Sequence, residues 1–179
     1  KPIILKGFQS LINTLVGESG RVTGILELTK VLLKYLPRII ISPKKFGVSI
    51  FSTVMIFKIL YFSIKNKNKE FIRMAHFPLV ASLFNDLLIK YNPDYSVLFS
   101  NHVAGNMHRY WYAHDMSAFR QKNKYSKEWV NKNHDAINFS IDLLDSYIGF
   151  IFNKREFKDS TILISSSMGQ EPSPKFDAK

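Results

Sequence analysis

The stretch that decides the predicted fold begins at residue 95 and reads Tyr-Ser-Val-Leu-Phe-Ser-Asn-His-Val-Ala-Gly-Asn-Met-His-Arg-Tyr-Trp-Tyr-Ala-His, ending at residue 114. Residues 95–99 are β-prone and follow the turn-forming Asn92, Pro93 and Asp94, which predicts a short buried strand. The residues after it contain three histidines, two asparagines and three large aromatics. We expect them to form a loop at the carboxyl end of that strand, where ligand sites of open α/β sheets lie.

The chain after this loop continues the same pattern. Residues 131–152 carry Ile137, Ile141, Leu144, Ile148 and Phe152 on one helical face, and residues 161–165 are β-prone. A strand, a helix and a second strand form a parallel crossover unit, so residues 91–170 are predicted to be an α/β domain with a parallel sheet. Residues 171–179 have no periodicity and are predicted to be a tail.

The chain before residue 91 is predicted to be helical, as an insertion or cap-like region covering residues 1–90. Apolar residues recur three and four apart in residues 24–36 and 78–90. Residues 46–64 are apolar for about the length of a membrane span, but Lys58 near the middle and several serines oppose insertion. This segment is therefore predicted to be a buried or interfacial helix that packs at least one face on the rest of the chain.

The composition favours an anionic partner. The chain has 179 residues, a formal net charge of +11 and no cysteine. An anionic ester, a nucleotide or a membrane surface would complement this charge, whereas the dispersed basic residues lack the aromatic pattern of a nucleic-acid module. Without cysteine, any metal would be held by His, Asp, Glu, Asn or hydroxyl oxygens. The amino-terminal residues lack the apolar core of a signal peptide, which favours the cytoplasm.

Three segments in the second half of the chain resemble the alkaline phosphatase superfamily, especially its type I phosphodiesterase and nucleotide pyrophosphatase branch and the related sulfatases. They are Pro-Asp-Tyr-Ser-Val-Leu-Phe at 93–99 followed by His-Arg-Tyr-Trp at 108–111, Ile-Asp-Leu-Leu-Asp-Ser-Tyr-Ile-Gly at 141–149, and Asp-Ser-Thr-Ile-Leu-Ile-Ser-Ser-Ser-Met-Gly at 159–169. The resemblance implies an incomplete carboxyl-terminal portion of a parallel-sheet α/β fold. It also implies hydrolysis of phosphoric or sulfuric esters with two divalent cations, commonly zinc.

The resemblance assigns the candidate site residues. His108 falls on a metal-binding histidine of the family, and Asn101 and His102 would stand in for an aspartate that is Ala104 here. Candidate substrate contacts are Arg109, Trp111, His114 and Gln170.

The same resemblance leaves the metal-ligand set incomplete. Ser167 and Met168 stand where the family has its paired Asp and His, and neither can neutralise a dication as those side chains do. We therefore predict that this chain retains little or no zinc and has negligible phosphodiesterase or sulfatase turnover. If the fold is the predicted one, His108 should lie close to the turn at residues 167–168.

Other interpretations of the same residues stay open. The histidines could be hydrogen-bonded structural residues, Arg109 could pair with Asp115, Trp111 could belong to a core, and the serines at 165–167 could be turn residues. The chain could then be a non-catalytic binding module for an anionic ligand or a partner. It could also be a peripheral membrane protein that lies on residues 46–64.

Overall fold

The computed structural model describes residues 40–41, 48–119 and 125–166. Its α-helices are α1 (Ile50–Lys65), α2 (His76–Tyr91), α3 (His102–His114), α4 (Lys127–Asn133) and α5 (Ala136–Phe152), and 3-10 helices lie at Lys69–Ala75, Met116–Ala118 and Arg155–Phe157. The chain divides into two compact units. The first contains α1, α2 and the 3-10 helix between them, and the second contains α3 to α5 together with Asn66–Asn68.

The predicted parallel-sheet α/β fold is wrong for the part of the chain that the structure describes, which is 72% helical and has no strand. The segments 95–99 and 161–165 lie outside the helices, and most of their apolar side chains are exposed. β-propensity measures how well a side chain fits a pleated, half-buried surface. Neither segment has a neighbouring strand among the described residues, so their β-prone composition does not produce a sheet.

The predicted histidine-rich loop is also wrong, because it is helix α3. Its buried face includes His102, Asn106, Tyr110 and Ala113, which recur at four, four and three residues. Two of these four side chains are polar, so the hydrophobic period that normally reveals a helix is weak here.

Two predicted helices are confirmed. Helix α5 covers most of the predicted segment after residue 131, and α2 covers residues 78–90. Helix α2 ends as expected at Asn92, which adopts a left-handed conformation (φ 40°, ψ 57°) and donates its backbone N–H to the Leu88 carbonyl at 2.8 Å. The predicted helix at residues 24–36 lies outside the described residues.

The first unit is held together by one face of α1. Phe51, Met55, Ile59 and Phe62 are buried at helical spacing and pack towards the 3-10 helix and α2, with the Phe62 and Phe71 ring centroids 4.9 Å apart. The prediction that this segment packs one face on the rest of the chain is thus confirmed for α1.

A serine cluster joins the start of α1 to α2 in the first unit. The Ser49 and Ser82 hydroxyl oxygens are 2.7 Å apart, and the Ser49 N–H donates to the Ser52 hydroxyl at 2.8 Å.

By length and composition, the described stretch Lys69–Tyr91 could cross a membrane, with 44% of its apolar window buried inside the structure. Core helices of soluble domains have the same length and composition, so these two properties do not identify this stretch as a membrane span.

The second unit is built around α3, which packs against both α5 and α4. The buried side of α5 is formed by Ala136, Ile137, Ser140, Leu143 and Tyr147. Helix α4 begins at Ser126, whose hydroxyl accepts a hydrogen bond from the Trp129 N–H at 3.2 Å. Packing on both sides determines which side chains of α3 face outward.

Candidate functional site

A hydrogen-bonded serine and histidine lie at the start of α3. The Ser100 hydroxyl oxygen is 2.7 Å from Nδ1 of His102, and Nε2 of His102 is 3.0 Å from the backbone carbonyl oxygen of Ser140 on α5. His102 is only 8% exposed, whereas Ser100 is partly exposed. The histidine is therefore held inside the second unit, while the serine lies where a ligand could reach it.

The Ser140 carbonyl determines which nitrogen of His102 carries the proton. A carbonyl oxygen can only accept, so Nε2 must be the donor in this contact. In the neutral imidazole, Nδ1 then has a lone pair that accepts the Ser100 O–H. The pair has the arrangement of an activated nucleophile, in which a base accepts the serine proton and a third group orients the base.

The first turn of α3 supplies hydrogen-bond donors beside Ser100. The amides of Val103 and Ala104 lie in this turn, where backbone amides have no carbonyl partner within the helix. Asn101 occupies the N-cap position, but its side chain makes no capping hydrogen bond. The positive end of the helix dipole adds to these donors, so negative charge is stabilised at this end of α3.

Arg109 extends the positive charge towards the same end. Nη1 of its guanidinium lies 3.8 Å from the position that a Cβ atom on Gly105 would occupy. Asn101, Gly105 and Arg109 follow each other at intervals of four residues, so they form one row on the helix surface. The guanidinium therefore lies over Gly105, one turn closer to the amino-terminal end of the helix than Arg109 itself.

The structure brings some of the predicted site residues together and separates others. His108 and Arg109 are adjacent and exposed on α3, and Asn101 is exposed at its start. His114 is at the other end, about 18 Å further along a helix of this length. Trp111 is half-buried in the last part of the helix. Gln170, Ser167 and Met168 lie outside the described residues, as does the predicted approach of His108 to the 167–168 turn.

The alternative pairing of Arg109 with Asp115 has a competitor in the structure. The Asp115 carboxylate accepts from the hydroxyl and the backbone N–H of Ser117, and these hydrogen bonds lower the pKa of Asp115. This carboxylate thereby caps the 3-10 helix Met116–Ala118.

Several aromatic residues of the second unit form a packed cluster behind α3. Tyr110 and Tyr112 are buried, Tyr112 lies against Phe119 and Tyr125, and the rings of Tyr125 and Trp129 stack with centroids 4.0 Å apart. These rings serve packing, whereas Trp111, the residue for which a core position was considered, is only half-buried.

The predicted zinc ligands His108, His102 and Asn101 all belong to the described part of the chain. No group of three or more His, Cys, Asp or Glu side chains there could hold a metal ion. Both ring nitrogens of His102 are already in hydrogen bonds, so metal ligation by His102 would break its contact with Ser100 or with Ser140. Zinc binding through His108, His102 and Asn101 remains a prediction from the resemblance.

Sequence reasoning missed Ser100 as a site residue. A serine two residues before a histidine is not a diagnostic pattern, and the contact that orients the imidazole comes from α5, 38 residues away. Only a correct placement of α3 against α5 could have revealed it.

Comparison with known proteins found no family model, no curated protein and no solved structure that matches this chain. The residues of the second unit and their geometry are therefore the basis for inferring what this chain does.

Proposed function

We propose that this chain is a hydrolase-like protein that acts on phosphate or sulfate esters, with Ser100 as the nucleophile and His102 as its general base. One observation carries the proposal: the Ser100 hydroxyl is 2.7 Å from Nδ1 of His102, whose Nε2 is 3.0 Å from the Ser140 carbonyl. These distances are within the range for a nucleophile, a base and an orienting group.

The chemistry follows from this pair. The Ser100 oxygen attacks the phosphorus or sulfur atom and its proton moves to Nδ1 of His102. The bond from the phosphorus or sulfur atom to the oxygen of the leaving alcohol breaks, and this oxygen takes the proton from Nδ1. A water molecule then attacks the phosphorus or sulfur atom of the seryl ester and gives a proton to Nδ1. The bond from that atom to the Ser100 oxygen breaks, and the Ser100 oxygen takes the proton back from Nδ1, which releases the acid and restores the free serine.

The preference for an anionic ester is supported by charge. Helix α3 contains no Asp or Glu, its amino-terminal amides adjoin Ser100, and the Arg109 guanidinium lies along the same helix. A guanidinium can donate two parallel hydrogen bonds to a phosphate or sulfate group. The net charge of +11 adds a general attraction for anionic substrates.

The resemblance to zinc-dependent hydrolases points to the same ester class by another route. In that route a metal centre, for which His108, His102 and Asn101 were the candidate ligands, would polarise the ester. The prediction of negligible turnover followed from the incomplete metal-ligand set and concerns the metal route. The serine and histidine pair needs no metal for its proton transfers, so a chelator separates the two routes.

The first test replaces the nucleophile. Ser100→Ala should lower turnover of p-nitrophenyl phosphate, bis(p-nitrophenyl) phosphate or p-nitrophenyl sulfate by at least about a hundredfold. The reason is that this substitution removes the nucleophile to which the phosphoryl or sulfuryl group is transferred. A fluorophosphonate probe should label wild-type Ser100, as located by peptide mass spectrometry, and should not label the variant. Ser96→Ala, an exposed serine in the preceding segment, is the matched control and should leave both readouts unchanged.

Three results would contradict the proposal in different ways. Turnover that survives in Ser100→Ala but disappears with a chelator would assign hydrolysis to a metal centre. Turnover of p-nitrophenyl acetate alone would keep the nucleophile but remove the anionic substrate class. No turnover, with phosphate binding that Arg109→Ala weakens, would make the chain a binding module.

A further inference from the structure

Helix α1 has a second apolar face, which is exposed. Ile50 is 87% exposed, Phe57 67%, Tyr61 68% and Ile64 76%, and Val54 between them is 46% exposed. These five residues are separated by four, three, four and three positions, so they form one stripe along the helix. We call them the α1 stripe.

The α1 stripe is not part of the core that the described residues of the first unit form. The side chains that pack towards the 3-10 helix and α2 are Phe51, Met55, Ile59 and Phe62, which lie on the opposite face. A helix that is apolar on both faces normally has a partner on each. Exposed apolar patches on folded proteins mark sites that contact other molecules or membranes.

The charge around the stripe distinguishes between the occupants it could have. Helix α1 contains no Asp or Glu and carries Lys58 and Lys65, and the sequence from residue 28 to residue 69, of which α1 is a part, has nine basic residues and no acidic one. A second copy docked on this stripe would bring two such segments together, and like charges would oppose it. An anionic lipid surface has the complementary charge and accepts apolar side chains.

The positions of two lysines fit a helix that lies flat on lipid. Lys58 follows Val54 by four residues, and Lys65 follows Tyr61 by four, so both exposed lysines border the stripe on the same side. With the stripe in the acyl boundary, their amines would reach the phosphate level while their methylene stems lie along the apolar surface. Lys58 opposes a transmembrane orientation of α1, but it is well placed when α1 lies flat on the membrane surface.

We propose that the α1 stripe inserts into the surface of an anionic membrane and that the lysines beside it contact the lipid phosphates. This assigns the first unit a role in membrane attachment, independent of the ester chemistry proposed for the second unit. It requires both apolar contact and negative lipid charge.

Vesicle flotation with the full chain tests the proposal. Wild type should float with vesicles that contain about a third phosphatidylserine in phosphatidylcholine, bind pure phosphatidylcholine weakly, and be released by salt. Phe57→Ser with Tyr61→Ser should lower the partition coefficient on anionic vesicles by about tenfold or more. Lys58→Gln with Lys65→Gln should lower it to a similar extent on anionic vesicles and leave the weak binding to neutral ones unchanged.

Matched controls keep these results specific. Phe152→Ser with Leu163→Ser removes two exposed apolar side chains of the second unit, and Lys127→Gln with Lys158→Gln removes two exposed lysines there. Both control variants should float like wild type, and circular dichroism should confirm that every variant is folded. Absence of wild-type flotation, or equal flotation of the stripe variant, would overturn the proposal. So would ultracentrifugation showing a wild-type dimer that the stripe variant converts to monomer, because a second copy would then cover the stripe.

Discussion

Buried polar side chains in the second unit are held by specific hydrogen bonds. The Asn106 amide donates to the His102 carbonyl at 2.8 Å, the Ser140 hydroxyl donates to the Ile137 carbonyl at 2.7 Å, and the Asn68 amide donates to the Asn133 side chain at 2.7 Å. A buried polar group without a partner costs about 1–3 kcal/mol, so the burial of these side chains depends on these bonds. The site histidine is oriented by a different bond, from its Nε2 to the Ser140 carbonyl, which joins α3 to α5.

His76, at the start of α2, gives a prediction about pH. Burial lowers the pKa of His76 from its ordinary value of 6.5. The unfolded chain therefore binds a proton more readily than the folded chain, and the free energy of unfolding should fall as pH decreases through 6.5. Urea unfolding at pH 8 and pH 5.5 should show a smaller fall for His76→Gln than for wild type. Equal falls would mean that His76 does not contribute to acid sensitivity.

At the scale of single elements, the ends of the helices follow local rules. Helix α4 is capped by Ser126, and α2 stops at Asn92 before Pro93, which cannot continue a helix hydrogen-bond ladder. Asn92 has a positive φ of 40°, a conformation that is strained for most side chains but tolerated by asparagine and free for glycine.

Two substitutions at this position test the role of its backbone conformation. Asn92→Val should destabilise the protein by about 1–2 kcal/mol, because a branched side chain opposes the left-handed conformation. Asn92→Gly, the control at the same site, should retain or slightly raise stability. Urea midpoints measure both, and equal values for the two variants would show that the backbone at residue 92 is not under this constraint.

At the scale of the whole molecule, the helical content of the described residues separates this chain from a parallel-sheet protein. With 72% of those residues in helices, the far-ultraviolet circular dichroism spectrum of the full chain should be that of a predominantly helical protein. A spectrum dominated by strand signal, or infrared absorption typical of a sheet, would contradict the helical fold.

The sequence by itself determined the features that depend on near neighbours. Apolar spacing predicted α2 and α5, and Asn92 and Pro93 predicted where α2 ends. Local preference also predicted strands at 95–99 and 161–165, and this was wrong, because a strand exists only when another strand bonds to it.

Which faces of the helices are buried, and what they contact, depends on how the helices pack against one another. Helix α3 was not predicted because its inward side chains include the polar residues His102 and Asn106. His102 is buried with a hydrogen bond to the Ser140 carbonyl on α5, and Asn106 with one to the His102 carbonyl one turn earlier. The same holds for Ser100, since the carbonyl that orients its histidine belongs to α5. The α1 stripe could be identified as exposed only after the opposite face of α1 was found packed in the first unit, because apolar spacing does not distinguish a buried face from an open one.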